Sequence, residues 1–243
     1  MKRVLFTAVA LGMVGSLSPA RSADLPYAKA PSAAAAVYDW TGYYVGAFGG
    51  GGFGNHNLNN ANGPAGNANF TVNWDSTGGI AGGEVGYNWQ GGNYLVGVEA
   101  DGFWSGIKGS DASQGLGAVD QTNLRWGGTL RVRGGYAADR LLLFFTGGWA
   151  FGDILHTSTA PGFPVDQFTN HRSGLTAGGG LAYAITSNVI GKLEYRFYDF
   201  GSYSRAGNPL TPNGQLPYTV ANTYSVVTVG FDIKFGSPVV AKY

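Results

Sequence analysis

From Trp40 to Phe235 the sequence repeats one device: large apolar residues hold every second position of a run, and the gaps between runs alternate in length. At 227–235, Val227, Val229, Phe231, Ile233 and Phe235 share one parity. Thr228, Gly230, Asp232 and Lys234 hold the other. The stretch "GKLEYRFYDFG", 191–201, sets Leu193, Tyr195 and Phe197 against Lys192, Glu194 and Arg196. Successive side chains of an extended chain point to opposite faces, so this pattern reads as β-strand. Long polar gaps fall near 55–73, 109–121, 157–170 and 204–218, and short ones at 90–93, 138–140 and 186–188. Four long and three short connections imply eight strands, with both ends of the chain on the side of the short turns.

Such a sheet needs an environment for its greasy face. Charged residues are only 12% of the chain, about half the usual share of a soluble domain, while aromatics are 14%. The apolar parity therefore suits lipid and the polar parity an interior. Backbone groups in hydrocarbon have no water to bond, so the sheet must close and leave no edge. Eight strands enclose a space that side chains can fill. The prediction is all-β: an eight-stranded antiparallel transmembrane β-barrel of up-and-down topology over 40–235, in the outer membrane of a Gram-negative cell, with both termini periplasmic. Crossing takes roughly 9–11 residues per tilted strand, so these longer runs should project past the outer surface.

In strand 4, Leu124, Trp126, Leu130, Val132 and Tyr136 oppose Arg125, Thr129, Arg131 and Arg133. In strand 3, Tyr94, Val96, Val98 and Trp104 oppose Glu99 and Asp101. Strand 5, "LLLFFTGGWAFG", is apolar on both parities, and the Gly-rich strand 1 fits either register. Trp40, Tyr43, Tyr44, Tyr87, Trp89, Tyr94, Tyr136 and Tyr183 lie near the short turns and are expected to form an interfacial girdle. Trp104 and Trp149 are expected toward the outer one.

The N-terminus supplies an address. "MKR" precedes the apolar run "VLFTAVALGMVGSL" and the small-residue stretch "SPARSAD", which reads as a secretory signal peptide over 1–22. Residues 23–39 read as an Ala/Pro periplasmic linker and 236–243 as a short C-terminal tail. Cleavage removes Lys2, Arg3 and Arg21 and leaves 12 basic against 14 acidic residues, a formal charge of −2. That offers no basic patch, and no nucleic acid is expected as partner. There is no Cys for a disulfide or a lipid anchor.

The segments "WTGYYVGAFGG", "GVEAD", "RVRGGYAADRLLLFFTGGWAFG", "GLTAGGGLAYAITSNVIGKLEYRFYDFG" and "VGFDIKF", with the leader "ADLPYAKAP", resemble the small alphaproteobacterial outer-membrane immunogenic proteins. These are a porin-like family of OmpA-type eight-stranded barrels, and the likeness covers the mature chain. The resemblance implies an abundant surface antigen that stiffens the outer membrane, with haem binding or small pores credited to some relatives. The family carries no catalytic motif. The tail after Phe235 departs from it, since such barrels commonly end on the aromatic.

The inward parity collects Glu84, Glu99, Asp101, Arg125, Arg131, Arg133, Lys192, Glu194, Arg196, Asp232 and Lys234: six cations and five anions. An unpaired buried ion costs several kcal/mol, so near balance predicts a salt-bridged, largely plugged lumen. The expected function is a structural and surface-antigen barrel. The alternatives are a narrow small-solute porin, with these residues as its filter, and a haem- or lipid-binding surface protein. His156-Thr157-Ser158 has the spacing of a lipid A deacylase element, but no Glu is placed to orient His156, and the chain is read as a non-enzyme. His156, His171 and His56 flank loops and are too few for a predicted metal or haem site, so no cofactor is expected. The expected partners are outer-membrane lipid and lipopolysaccharide, and the barrel assembly machinery acting on Phe235. The barrel is expected to be a monomer.

Overall fold

The computed structural model describes residues 37–60, 70–111, 119–159, 161–162, 164–205 and 218–236. The signal-peptide reading, most of the linker and nearly all of the tail lie outside the described residues. Eight antiparallel strands form a closed barrel in sequence order. They are β1 (Gly42–Asn60), β2 (Phe70–Gly91), β3 (Tyr94–Asp111), β4 (Val119–Ala138), β5 (Leu141–Thr159), β6 (Asp166–Ala184), β7 (Val189–Arg205) and β8 (Tyr218–Phe235). Closure runs through β1 and β8, from Tyr43 opposite Phe235 to Asn60 opposite Tyr218. Every strand thus has two hydrogen-bonded neighbours, the arrangement that lipid demands.

The parity rule sorts most side chains. Val85, Val96, Val98, Leu130, Val132, Phe145, Leu181, Leu193, Tyr195, Val229, Phe231 and Ile233 face outward and are exposed. Tyr43, Trp89, Tyr94, Tyr136 and Tyr183 are also exposed outside the short-turn end. There Tyr43 meets Tyr87 edge-on at 4.5 Å, and Tyr94 meets Tyr136 at 5.8 Å. Trp104, Trp126 and Trp149 face outward nearer the long-loop end. In β5 the pairing with β4 and β6 resolves the ambiguity: Leu141, Leu143, Phe145, Trp149 and Phe151 point out, and Leu142, Phe144, Ala150 and Ile154 point in.

Four side chains depart from the expected parity, for two reasons; the fourth, Arg125, is described with the ion layer. Trp40 and Tyr44 are not girdle residues. Trp40 precedes β1 and turns into the short-turn mouth, where it is 1% exposed, and Tyr44 takes the inward register that the glycines of β1 left open. Leu124 is buried inside, not outside. Its strand shifts register between Leu124 and Trp126, so the two residues face opposite sides despite equal parity.

The interior is layered. An apolar cluster of Trp40, Leu95, Ala137, Leu142, Phe144, Ala182, Ala184 and Ile190 fills the short-turn end. A second cluster, including Phe48, Ile80, Phe103, Ile107, Leu124, Ile154, Tyr198, Phe200 and Tyr224, fills the part nearer the long loops. The ions lie between them.

Candidate functional site: the ion layer and the mouth of the barrel

β7 supplies the axis of the layer. Lys192, Glu194 and Arg196 alternate inward along it, while the facing stretch of β6 is glycine: Gly180 lies opposite Glu194 and Gly178 opposite Arg196. With no side chains rising from β6, the β7 ions reach across the lumen to β2, β3 and β4. Gly46 serves the same purpose on β1, since a Cβ there would collide with the Asp232 carboxylate.

Arg131 pairs with Glu99, with Glu194 at 2.5 Å and with Asp101 at 3.1 Å. Arg196 pairs with Glu194 at 2.8 Å, Glu84 at 3.2 Å and Asp101 at 3.3 Å. Lys192 pairs with Glu84, with Glu99 at 3.4 Å and with Glu194 at 3.6 Å. Arg133 reaches Glu99 at 3.7 Å and lies 3.8 Å over the Phe144 ring. Neutral groups complete the shell: Tyr44 donates to Glu99 at 2.6 Å and Thr129 to Asp101, while Thr146 accepts from the Arg131 Nη1 at 3.2 Å. Glu84, Glu99 and Glu194 bring carboxylate oxygens close enough together to suggest a cation site. Arg131, Arg196 and Lys192 already occupy that space, so the chemistry of the cluster is internal neutralisation. Asp232 is buried beside this group.

Two expected members stand apart. Lys234 is buried inside but lies at the short-turn mouth, where its Nζ donates to the Asp39 carbonyl and sits 4.7 Å over the Tyr38 ring. Arg125 is not in the lumen at all. The β4 register shift turns it outward, where it pairs at 2.5 Å with Asp153 and its side chain is 44% exposed. Without Arg125 the interior set holds five cations and five anions.

Residues 38–40 cross the mouth; Tyr38 and Asp39 belong to the stretch read as linker, and Trp40 to the barrel. The Trp40 amide donates to Gln90 Oε1 at 2.7 Å, and its indole Nε1 donates to the Asp139 carbonyl at 3.0 Å. The Tyr38 amide donates to Asp139 Oδ1 at 2.9 Å, and its hydroxyl to the Ser187 carbonyl at 3.2 Å. Residues 38–40 are thus tied to the ends of β2 and β8 and to the turns after β4 and β6. Two backbone features permit this. Gly42 has φ +139, which lets the chain swing from the mouth into β1. Asp139 has φ +51, the left-handed region that Asp tolerates in turns.

The histidines do not assemble into one site. His56 is buried between Asn222, at 2.7 Å, and Ser76, at 3.0 Å. His156 stacks on Phe168 at 5.1 Å with its Nδ1 3.1 Å from Thr122 Oγ1. His171 faces outward and contacts Asp153 at 3.0 Å. The side chain of Ser158, in the His-x-Ser element, lies outside the described residues.

Comparison with known proteins agrees with this architecture. The model of the outer membrane protein β-barrel domain matches residues 25–235. The 31 kDa outer-membrane immunogenic protein of Brucella melitensis is 32% identical over 251 residues, spanning 97% of this chain and 100% of that protein. The 22 kDa outer membrane protein of Rhizobium leguminosarum bv. viciae is 33% identical over 67% of this chain and 65% of its own length. Among solved structures, the outer membrane protein OprG from Pseudomonas aeruginosa aligns with a TM-score of 0.47 at 14% identity, over 81% of this chain and 97% of that one. A closed eight-stranded sheet, apolar outside and ionic within, matched by that family over most of its length, belongs to the outer-membrane β-barrel domain family, as a small outer-membrane protein of the alphaproteobacterial immunogenic type.

Proposed function

We propose that this outer-membrane barrel is a structural and surface-presenting protein whose lumen is plugged. The observation that supports this most directly is the sandwich of an ion layer between two apolar layers, with Trp40 stopping the short-turn mouth. Water crosses a narrow pore only where polar groups line it continuously, and apolar constrictions dewet. Arg131, Arg196, Lys192, Glu99 and Glu194 are buried and mutually paired, so none of them is held open as a binding group. In this reading both chain ends are periplasmic and the long loops form the surface that antibodies or other partners meet. The barrel works as a monomer, because its ion layer is completed within one chain. It carries out no reaction.

Solute flux tests the proposal. Liposomes containing the purified barrel should swell in iso-osmotic arabinose no faster than empty liposomes, while a general porin reconstituted alongside swells rapidly. Swelling at a porin-like rate would make the ion layer a selectivity filter and the protein a narrow porin.

A further inference from the structure

We propose that Arg125 and His171, held over Asp153, form a docking site on the outer wall of the barrel for the anionic headgroup of an outer-leaflet glycolipid. The inference rests on the reading that the long loops face outside.

The site is built from three strands. Trp126, Asp153 and His171 are direct partners in a row across β4, β5 and β6. Asp153 has outward parity, because at the preceding residue, Gly152, an added Cβ would press on the interior side chains of Phe200 and Leu124. Yet Asp153 is 0% exposed. It is covered by Arg125, which the β4 register shift re-aims from the lumen to the wall, and by His171 from the other side. Bulges commonly re-aim a side chain in this way.

The result is a carboxylate buried beneath two nitrogen-bearing groups that keep open outer edges. The Arg125 side chain is 44% exposed and that of His171 is 77% exposed. Arg125 faces Asp153 with Nε, at 2.7 Å, and with Nη2, at 2.5 Å. Its Nη1 is left to point away. His171 presents Nδ1 to Asp153, which leaves Nε2 on the outer side. An approaching oxyanion therefore meets an Arg N–H and the imidazole Nε2, with the carboxylate shielded beneath. Nε2 donates when the ring is protonated, or accepts from a singly protonated phosphate.

Position selects the class of ligand. On the short-turn side of this row the outward residues are mostly apolar, Leu130, Trp149, Phe151 and Leu175, with Ser173 beside Phe151 as the polar exception. Trp126 is exposed within the row itself, with its ring centroid 6.5 Å from that of His171. Beyond the row, Asn123, Gln121 and Thr169 take the outward parity. At roughly 3.3 Å per residue and a tilt near 40°, Asp153 stands about 30 Å above Leu141, at the upper edge of an apolar band about 25 Å tall. An occupant must carry an acidic head at that level and acyl chains against the apolar arc below. The external leaflet offers that as an acidic glycolipid.

The test uses the purified full barrel in detergent and native mass spectrometry, with diphosphorylated lipid A as probe. Dephosphorylated lipid A, phosphatidylglycerol and inorganic phosphate serve as comparisons, and folding is checked by heat-modifiable migration. Wild type should retain the diphosphorylated form about tenfold or more over the dephosphorylated one, as charge-assisted bonds imply. Arg125→Gln combined with His171→Gln should remove that preference, and Arg125→Lys should keep most of it. Lys108→Gln, which removes an exposed cation of β3, should change nothing. Equal retention of the dephosphorylated lipid, preference for phosphatidylglycerol, or an equal loss in Lys108→Gln would each overturn the site. If the double variant does not fold, the exposed His171→Gln alone decides: a loss of about threefold or more supports the site, and unchanged retention overturns it. Lipid retention and solute flux are separate readouts, so a barrel that conducts yet binds glycolipid would refute the plug and leave this site standing.

Discussion

Glu194 contacts three cations, Arg131, Arg196 and Lys192, and removing its carboxylate leaves all three short of charge in a buried layer. Breaking one partner of a buried pair costs far more than the pair's net worth, because the survivor cannot be resolvated. Glu194→Ala should therefore lower the urea-unfolding stability of the refolded barrel by about 3–5 kcal/mol. Lys234→Ala should cost less, about 1 kcal/mol, since its partner is a neutral backbone carbonyl that water at the mouth can also satisfy. Equal losses at the two positions would contradict the layered interior. The ions of β3, β4 and β7 were legible because parity alone turns them inward. Arg125 was not, because it is itself the extra residue of the register shift, and the glycines nearby are no different from those throughout the strands. Its partner Asp153 sits outward in a strand that reads as apolar on both faces, and only the cross-strand register reveals the pair. Tyr44 was missed because the glycines of β1 leave its register undetermined until β2 and β8 are paired.

At the scale of elements, residues 38–40 act as a clasp across the mouth. The clasp escaped sequence reading because its bonds run to strand ends and turns 50 to 195 residues away, for which local composition gives no signal. Trp40→Ala removes a buried indole of the lower apolar cluster and its bond to Asp139, and should cost about 3–5 kcal/mol in the same unfolding assay. Trp40→Phe, which keeps most of the apolar volume, should cost less than half as much. If Trp40→Ala were neutral, the clasp would have no part in closing the barrel. At the other terminus, Phe235 is the last residue of β8, faces outward and lies opposite Tyr43. We expect it to be the aromatic that the assembly machinery reads. Deleting residues 236–243 should leave folded barrel levels in outer-membrane fractions nearly unchanged, and Phe235→Ala should lower them several-fold. The reverse outcome would move the signal into the tail.

For the whole molecule, eight strands, their order and their antiparallel pairing were legible, since alternating gap lengths count strands and closure follows from the solvent. The layering of the lumen was not. Alternation shows which residues point inward but not their height, which depends on strand stagger around the barrel. The proposed topology, with periplasmic ends and long loops outside, rests on the short turns and the clasp lying at one end. An epitope tag placed within 61–69 should be labelled on intact cells; labelling only after outer-membrane rupture would invert the barrel and place the Arg125 row in the inner leaflet. In the proposed function the ion layer fills the lumen instead of lining a path through it. Planar-bilayer recording of the purified wild-type barrel in 1 M KCl tests this most directly. A filled lumen gives no steady conductance above the bare bilayer, with brief steps appearing only when the layer is broken, as in Glu194→Ala. Large, stable, ion-selective steps from the wild-type protein would contradict it.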